Sequence, residues 1–125
     1  MLVMDIRIEL VSIPVTDIDR AIAFYTEQVG FTLDHDHRVS DEVRFVQITP
    51  PGSACSILVG HLSGMAPGSQ QQLQCVVPDA DAALAELRER GVEAQGVDEQ
   101  PWGRFVYFAD PDGNTWSYQQ VVPQG

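Results

Sequence analysis

Val15-Thr16-Asp17-Ile18-Asp19-Arg20-Ala21 returns 62 residues later as Val77-Pro78-Asp79-Ala80-Asp81-Ala82-Ala83, with Val, both Asp and the last Ala in place. A second echo follows at nearly the same interval, Arg44-Phe45-Val46 recurring as Arg104-Phe105-Val106, 60 residues apart. A turn-forming cluster comes soon after each, Pro50-Pro51-Gly52 in the first copy and Asp110-Pro111-Asp112-Gly113-Asn114 in the second. One order of parts used twice predicts two copies of one folding unit, module one at about residues 5–60 and module two at about 70–122.

Within each copy the local signals follow the same order. Ile6 to Val15 is rich in β-branched residues and ends in Pro14-Val15-Thr16-Asp17, which reads as a strand entering a capped helix. Ile18, Ala21, Ile22, Phe24, Tyr25 and Val29 then fall on one helical stripe, and Gly30 supplies the left-handed residue that closes it. Phe31 to His37, Val43 to Thr49 and Ser53 to Gly60 read as three short strands, and His61 to Ser69 as the linker. The second copy predicts a strand at Gln70 to Val77 and a helix from Asp79 to Arg90 with Ala80, Ala83, Leu84 and Leu87 inward. Gly91 stops that helix, and strands follow near Val92 to Val97, Arg104 to Ala109 and Asn114 to Val122. Each module is β-α-β-β-β.

At 125 residues the chain is long enough for one domain, and such a domain buries roughly two thirds of its unfolded surface, so both modules can share a core without a disulfide or metal staple. The balance of 7 basic against 18 acidic residues, −11 net, argues against nucleic acid or an anionic membrane as partner. Cys55 and Cys75 lie in apolar segments without CxxC spacing and read as small core residues. The start, Met1-Leu2-Val3-Met4-Asp5-Ile6-Arg7, lacks a basic segment followed by a long apolar run, and no stretch approaches the roughly 18 apolar residues of a membrane span. A cytoplasmic location is expected.

The arrangement resembles the vicinal oxygen chelate superfamily, which includes glyoxalase I, bleomycin-resistance proteins, fosfomycin-resistance enzymes and ring-cleaving dioxygenases. The matching stretches are Val15 to Ala21 leading into Phe24-Tyr25 and Val29-Gly30-Phe31, and Phe108-Ala109-Asp110-Pro111-Asp112-Gly113-Asn114. The resemblance covers nearly the whole chain. It implies an α+β fold of two β-α-β-β-β modules with a cupped mixed sheet enclosing a cavity, completed in relatives of this size by a homodimer. The motif residues themselves read as structural: Asp17 and Asp79 as helix caps, Phe24 and Tyr25 as core, Asp110 to Asn114 as a tight turn.

In metal-dependent relatives one ion sits inside the cupped sheet on His, Gln or Glu from the first and fourth strands of each module. The resemblance carries those positions to Leu10 and Gln72, seven residues before the capping Asp, and to Ser56 and Ser117, about four after the turn glycine. Leucine cannot ligate, serine is a poor ligand without a carboxylate, and one neutral amide does not hold a divalent ion. Neither a metal nor another cofactor is therefore expected.

Every second side chain of a strand points to the same face, so the cavity face should also carry Ser12, Leu58, Gln74, Thr115 and Gln119. Phe45 and Gln47, with Phe105 and Tyr107, come from the third strands. The opposite face, with Val11, Ile13, Cys55, Ile57, Cys75 and Val77, should pack on the helices. The apolar and neutral-polar lining suits an uncharged or aromatic molecule held by stacking and a few hydrogen bonds. Trp102, just before the seventh strand, could close over it.

Other candidates are weaker. His35 and His37 have the i, i+2 spacing seen in some metal sites but read as a solvated strand end beside a charged loop, and His61 reads as exposed linker. No Ser-His-Asp set, phosphate loop or reactive-cysteine pattern supports nucleophilic catalysis. The favoured reading is a small-molecule-binding protein for a planar apolar ligand, in the manner of the bleomycin-resistance branch. A metal-dependent glyoxalase-like lyase or dioxygenase is an alternative, as is a metal-free isomerase or hydrolase working through Tyr107 or a loop carboxylate.

Overall fold

The computed structural model describes residues 4–121; Met1 to Val3, and Val122, expected to end the last strand, lie outside the described residues. Module one runs β1 (Leu10–Pro14), α1 (Ile18–Ala23), β2 (Thr32–Arg38), β3 (Arg44–Thr49) and β4 (Ser56–Gly60). Module two runs β5 (Leu73–Val76), α2 (Ala80–Glu89), β6 (Gln95–Gln100), β7 (Gly103–Ala109) and β8 (Thr115–Val121). The α+β fold and the twice-used β-α-β-β-β order are as the sequence predicts. Both caps are too: Asp17 accepts from the Arg20 N–H at 3.0 Å and Asp79 from that of Ala82 at 3.1 Å.

The sheet differs from expectation. In place of one cupped sheet there are two four-stranded mixed sheets, ordered β1-β4-β3-β2 and β5-β8-β7-β6, which do not close on each other. In each, the first strand pairs in parallel with the fourth, and the remaining pairs are antiparallel. The outer edge of β1 meets irregular chain: Gly68 N–H and Asn114 Nδ2 donate to the Pro14 carbonyl at 3.0 and 2.8 Å, and Gln70 Nε2 to that of Ser12 at 3.1 Å. Gly68 has φ of 78°, and a Cβ there would collide with the Asp112 carbonyl oxygen, so only glycine lets the linker pass this close to the turn.

Several boundaries also shift. β1 begins at Leu10 rather than Ile6, because its partner β4 begins at Ser56, whose N–H donates to the Glu9 carbonyl at 2.9 Å and ends the ladder there. β5 begins at Leu73 rather than Gln70, since Gln72 takes φ of 56° and leaves the extended conformation. β6 occupies Gln95–Gln100 rather than Val92 to Val97; Val92 is buried because it closes the end of α2, its N–H donating to the Leu87 carbonyl at 2.9 Å. The first helix is α-helical only to Ala23 and continues as a π-helical turn over Phe24–Gln28, with the Val29 N–H donating to the Phe24 carbonyl at 3.0 Å.

The backs of both sheets pack into one core, with Ile13, Val46, Ile48, Ile57 and Val59 from module one and Val106, Phe108, Trp116 and Tyr118 from module two. Aromatic rings cross the boundary: Tyr25 and Phe31 stack at 6.1 Å between centroids, and both lie within 5.7 Å of Trp116. A polar network stands beside them. The Asp110 carboxylate, in a residue only 5% exposed, accepts from the Tyr25 hydroxyl at 2.7 Å and from Asn114 Nδ2 at 2.8 Å through Oδ2. Its Oδ1 accepts the backbone N–H groups of Asp112 and Asn114 at 3.0 and 2.9 Å. Tyr25 in turn accepts from Trp116 Nε1 at 3.0 Å. Burial, with the Asp110 carboxylate beside it, pushes the Tyr25 phenol far above the ordinary tyrosine value.

Tyr25→Phe should cost about 1–3 kcal/mol in urea unfolding near neutral pH, since it removes a donor from Asp110 and an acceptor from Trp116. Because the phenol pKa is raised on folding, its contribution is complete below about pH 10 and is lost as pH rises above that, where the unfolded chain releases the proton first. The wild type should therefore weaken above about pH 10 more steeply than Tyr25→Phe. Equal stability of the two proteins at neutral pH would show that this network does not join the modules.

Candidate functional site

The front of the second sheet forms an open concavity. Cross-strand pairing of Tyr107 with Ser117, Phe105 with Gln119 and Gln74 with Ser117 puts these side chains on one face. They border an open cavity of about 860 Å³ whose lining includes Gln72, Gln74, Trp102, Phe105, Tyr107, Thr115 and Ser117 from the expected set. The Phe105 and Tyr107 rings lie nearly parallel, 4° apart with centroids at 6.1 Å, Phe105 buried and Tyr107 39% exposed. Trp102 stands at the rim, 60% exposed.

A chain of amides orders the polar side of this wall. Ser117 Oγ donates to Gln74 Oε1 at 3.1 Å, Gln74 Nε2 to Gln119 Oε1 at 2.9 Å, and Gln119 Nε2 to the Trp102 carbonyl at 3.1 Å. Gln119 thus stands on the same face and orders the wall without itself lining the cavity. Gln71, Glu93, Gln95 and Gln100 line it as well. The residue pattern misses Gln95 and Gln100 because it places β6 too early; the alternation of Gln95, Val97 and Glu99 with their neighbours carries no apolar periodicity that could have corrected it. Asp98, opposite Phe105 in the ladder, accepts from the Tyr107 hydroxyl at 2.7 Å and from Gln100 Nε2 at 3.1 Å. That hydrogen bond to the Asp98 carboxylate holds the Tyr107 phenol above its ordinary pKa.

The module-one members of the expected lining lie elsewhere. Leu10 pairs with Ser56, Ser12 with Leu58 and Gln47 with Leu58, and with Phe45 they occupy the front of the first sheet, outside the 860 Å³ cavity. Ser56 is buried and the others half-buried. Gln47 Nε2 donates to Ser56 Oγ at 3.2 Å, Ser56 Oγ hydrogen-bonds to Thr49 Oγ1 at 2.6 Å, and Thr49 donates to Asp34. His35 and His37 are exposed, as expected, but they are not a stray strand end. They pair with Gln47 and Phe45 and so share this front face, their rings 5.6 Å apart.

The four positions that the resemblance assigns to a metal carry few free donors. Leu10 has no donor atom, Ser56 Oγ is held by Gln47 and Thr49, and Ser117 gives its proton to Gln74. Ser117 pairs with Gln74 rather than with Gln72, so module two is offset by two residues from module one, where Leu10 meets Ser56. The donor set, two hydroxyls and neutral amides already bonded to each other, does not fit a divalent ion. Among the described residues no group of three or more His, Cys, Asp or Glu side chains is placed to hold one. Burial, with Cys55 nearby, pushes the Cys75 thiol up to about 11, leaving little thiolate for nucleophilic chemistry. Among the described residues no helix is long and apolar enough to cross a membrane.

Solved structures share this fold. TnmS3, an antibiotic binding protein from Streptomyces sp. CB03234, superposes with a TM-score of 0.87 at 37% identity, covering 97% of this chain and 100% of that one. A glyoxalase/bleomycin resistance protein/dioxygenase superfamily member from Sphaerobacter thermophilus DSM 20745 gives 0.83 at 31% identity over 94% and 99% of the two chains. The uncharacterized protein YetH of Bacillus subtilis (strain 168) is 32% identical over 114 residues, 88% of this chain and 94% of its own. The model of one family matches residues 7–118, spanning both copies of the repeat. The chain belongs to the Glyoxalase/Bleomycin resistance protein/Dioxygenase superfamily.

Proposed function

We propose that this protein binds a planar, largely apolar small molecule without a metal ion, in a cavity completed by a second copy of the chain. The carrying observation is the cavity wall itself: parallel Phe105 and Tyr107 rings beside self-bonded amides. Stacking surfaces and neutral hydrogen-bonding groups select flat molecules by shape. The likeness to an antibiotic binding protein over nearly the whole chain supports the same reading.

The division of the lining between two open sheets supports a homodimer. Among the described residues nothing roofs the module-two cavity, and nothing faces the module-one surface with Phe45, Gln47 and Leu58. In a two-fold pair, one protomer's first sheet covers its partner's second sheet, and both sites close at once. Residues Leu10, Ser12 and Ser56 then face the same ligand as Gln72, Gln74 and Ser117.

Three outcomes are expected. Phe105→Ala should weaken binding of a planar compound found by thermal-shift screening about thirtyfold or more, because losing a packed ring at the centre of a site commonly costs about 2 kcal/mol. His61→Ala, on the linker, should leave binding unchanged; the reverse pattern would place the site elsewhere. Elemental analysis after purification without chelator should find no stoichiometric transition metal, and near one equivalent of zinc, nickel, iron or manganese, lost on chelation, would overturn the metal-free reading. Light scattering over a dilution series should give the mass of two chains, and a single-chain mass at micromolar concentration would count against the shared cavity.

A further inference from the structure

A purely apolar ligand leaves Asp98 unexplained. Its carboxylate sits half-buried on the front of β6, held by two neutral donors, Tyr107 and Gln100. Among the described residues no Lys, Arg or His lies within ion-pair distance of it. The nearest cation in the ladder, Arg104, is committed to Asp81 at 2.8 Å and Glu99 at 3.0 Å on the far side of the sheet. No residue lining the cavity carries a positive charge. A carboxylate whose protein partners are all neutral leaves its negative charge free to attract a positive charge supplied from outside the chain. A carboxylate has about four acceptor positions, and the two donors leave room for a further one.

The rings point the same way. Trp102, Phe105 and Tyr107 border the same cavity, and aromatic faces attract organic cations. The Tyr107 hydroxyl donates to Asp98, which pushes electron density into the ring and strengthens that attraction. Asp98 does not itself border the cavity but is held by Gln100 and Tyr107, which do, so a cationic nitrogen against the Tyr107 ring lies one side chain away from the carboxylate.

We propose that the ligand carries a cationic nitrogen, a protonated amine or quaternary ammonium, on its flat aromatic body, and that Asp98 with the Tyr107 ring selects for it. This rests on the planar-ligand reading above and names the chemical class of that ligand.

The test compares three probes of similar shape by fluorescence titration at about pH 8, where an ordinary imidazole is uncharged: cationic 9-aminoacridine, neutral acridine and anionic 9-anthracenecarboxylate. The wild type should bind 9-aminoacridine at least about tenfold more tightly than acridine, about 1.4 kcal/mol, with the anion weakest. Asp98→Asn, which keeps shape and hydrogen bonding, should remove most of that ratio while acridine stays within about twofold. Glu89→Gln, an equal charge change at the exposed end of α2, should leave the ratio intact. Thermal unfolding of each variant confirms that it folds. Equal affinity for acridine and 9-aminoacridine in the wild type would overturn the charge preference alone and leave the planar-ligand reading standing. The same holds for an unchanged ratio in Asp98→Asn or an equal loss in Glu89→Gln. Failure of all three probes to bind would overturn both.

Discussion

The hydrogen bonds converging on Asp110 make one domain of two modules. The carboxylate lies in the turn between β7 and β8, and its partners reach it from the π-helical turn of module one and from its own turn. Through Asn114 the same cluster grips the Pro14 carbonyl on β1 and the Gln70 N–H on the linker, so strand, linker and turn are fixed at one point. Around it Tyr25, Phe31, Phe108 and Trp116 exclude water, which makes each of those bonds stronger and each unmet partner more costly. The cavity depends on this clamp because Asp110, Phe108 and Trp116 also form part of its floor.

Much of this was legible beforehand, and the limits have physical causes. The caps at Asp17 and Asp79 are local events within a few residues, and the sequence shows them directly. The period of two along β1, β3, β4, β7 and β8 separates the core face of each sheet from its front, since strand alternation needs no tertiary knowledge. The Asp-Pro-Asp-Gly-Asn turn reads as a turn, but its Asp110 meets Tyr25 across 85 positions, and nothing local announces that. The π-helical turn is equally silent: Phe24 and Tyr25 are neighbours yet both buried, where a regular helix sets neighbours about 100° apart. β6 went astray because Val92 and Ala94 are buried at the end of a helix rather than on a strand. The division of the lining between two sheets depends on how β1 is edged by the linker, which no alternation pattern contains.

The site chemistry marks a departure from the metal-dependent relatives that share the fold. Where an ion would need basic, unengaged donors, this chain places hydroxyls and amides that satisfy one another. Such a wall is already organised before any ligand arrives, so little side-chain entropy remains to be lost on binding. The two-residue offset between the Leu10–Ser56 and Gln74–Ser117 pairs shows how far the copies have diverged while keeping their topology.

The two tryptophans occupy opposite extremes of the molecule. Trp116 is 2% exposed, with its indole N–H tied to Tyr25, while Trp102 stands largely in solvent at the cavity mouth. With only these two in the chain, the protein carries its own optical labels. The buried indole emits at shorter wavelength and shifts when the core opens, whereas the exposed indole already emits at longer wavelength. Opening of the core thus registers in one part of the emission spectrum, without any attached dye.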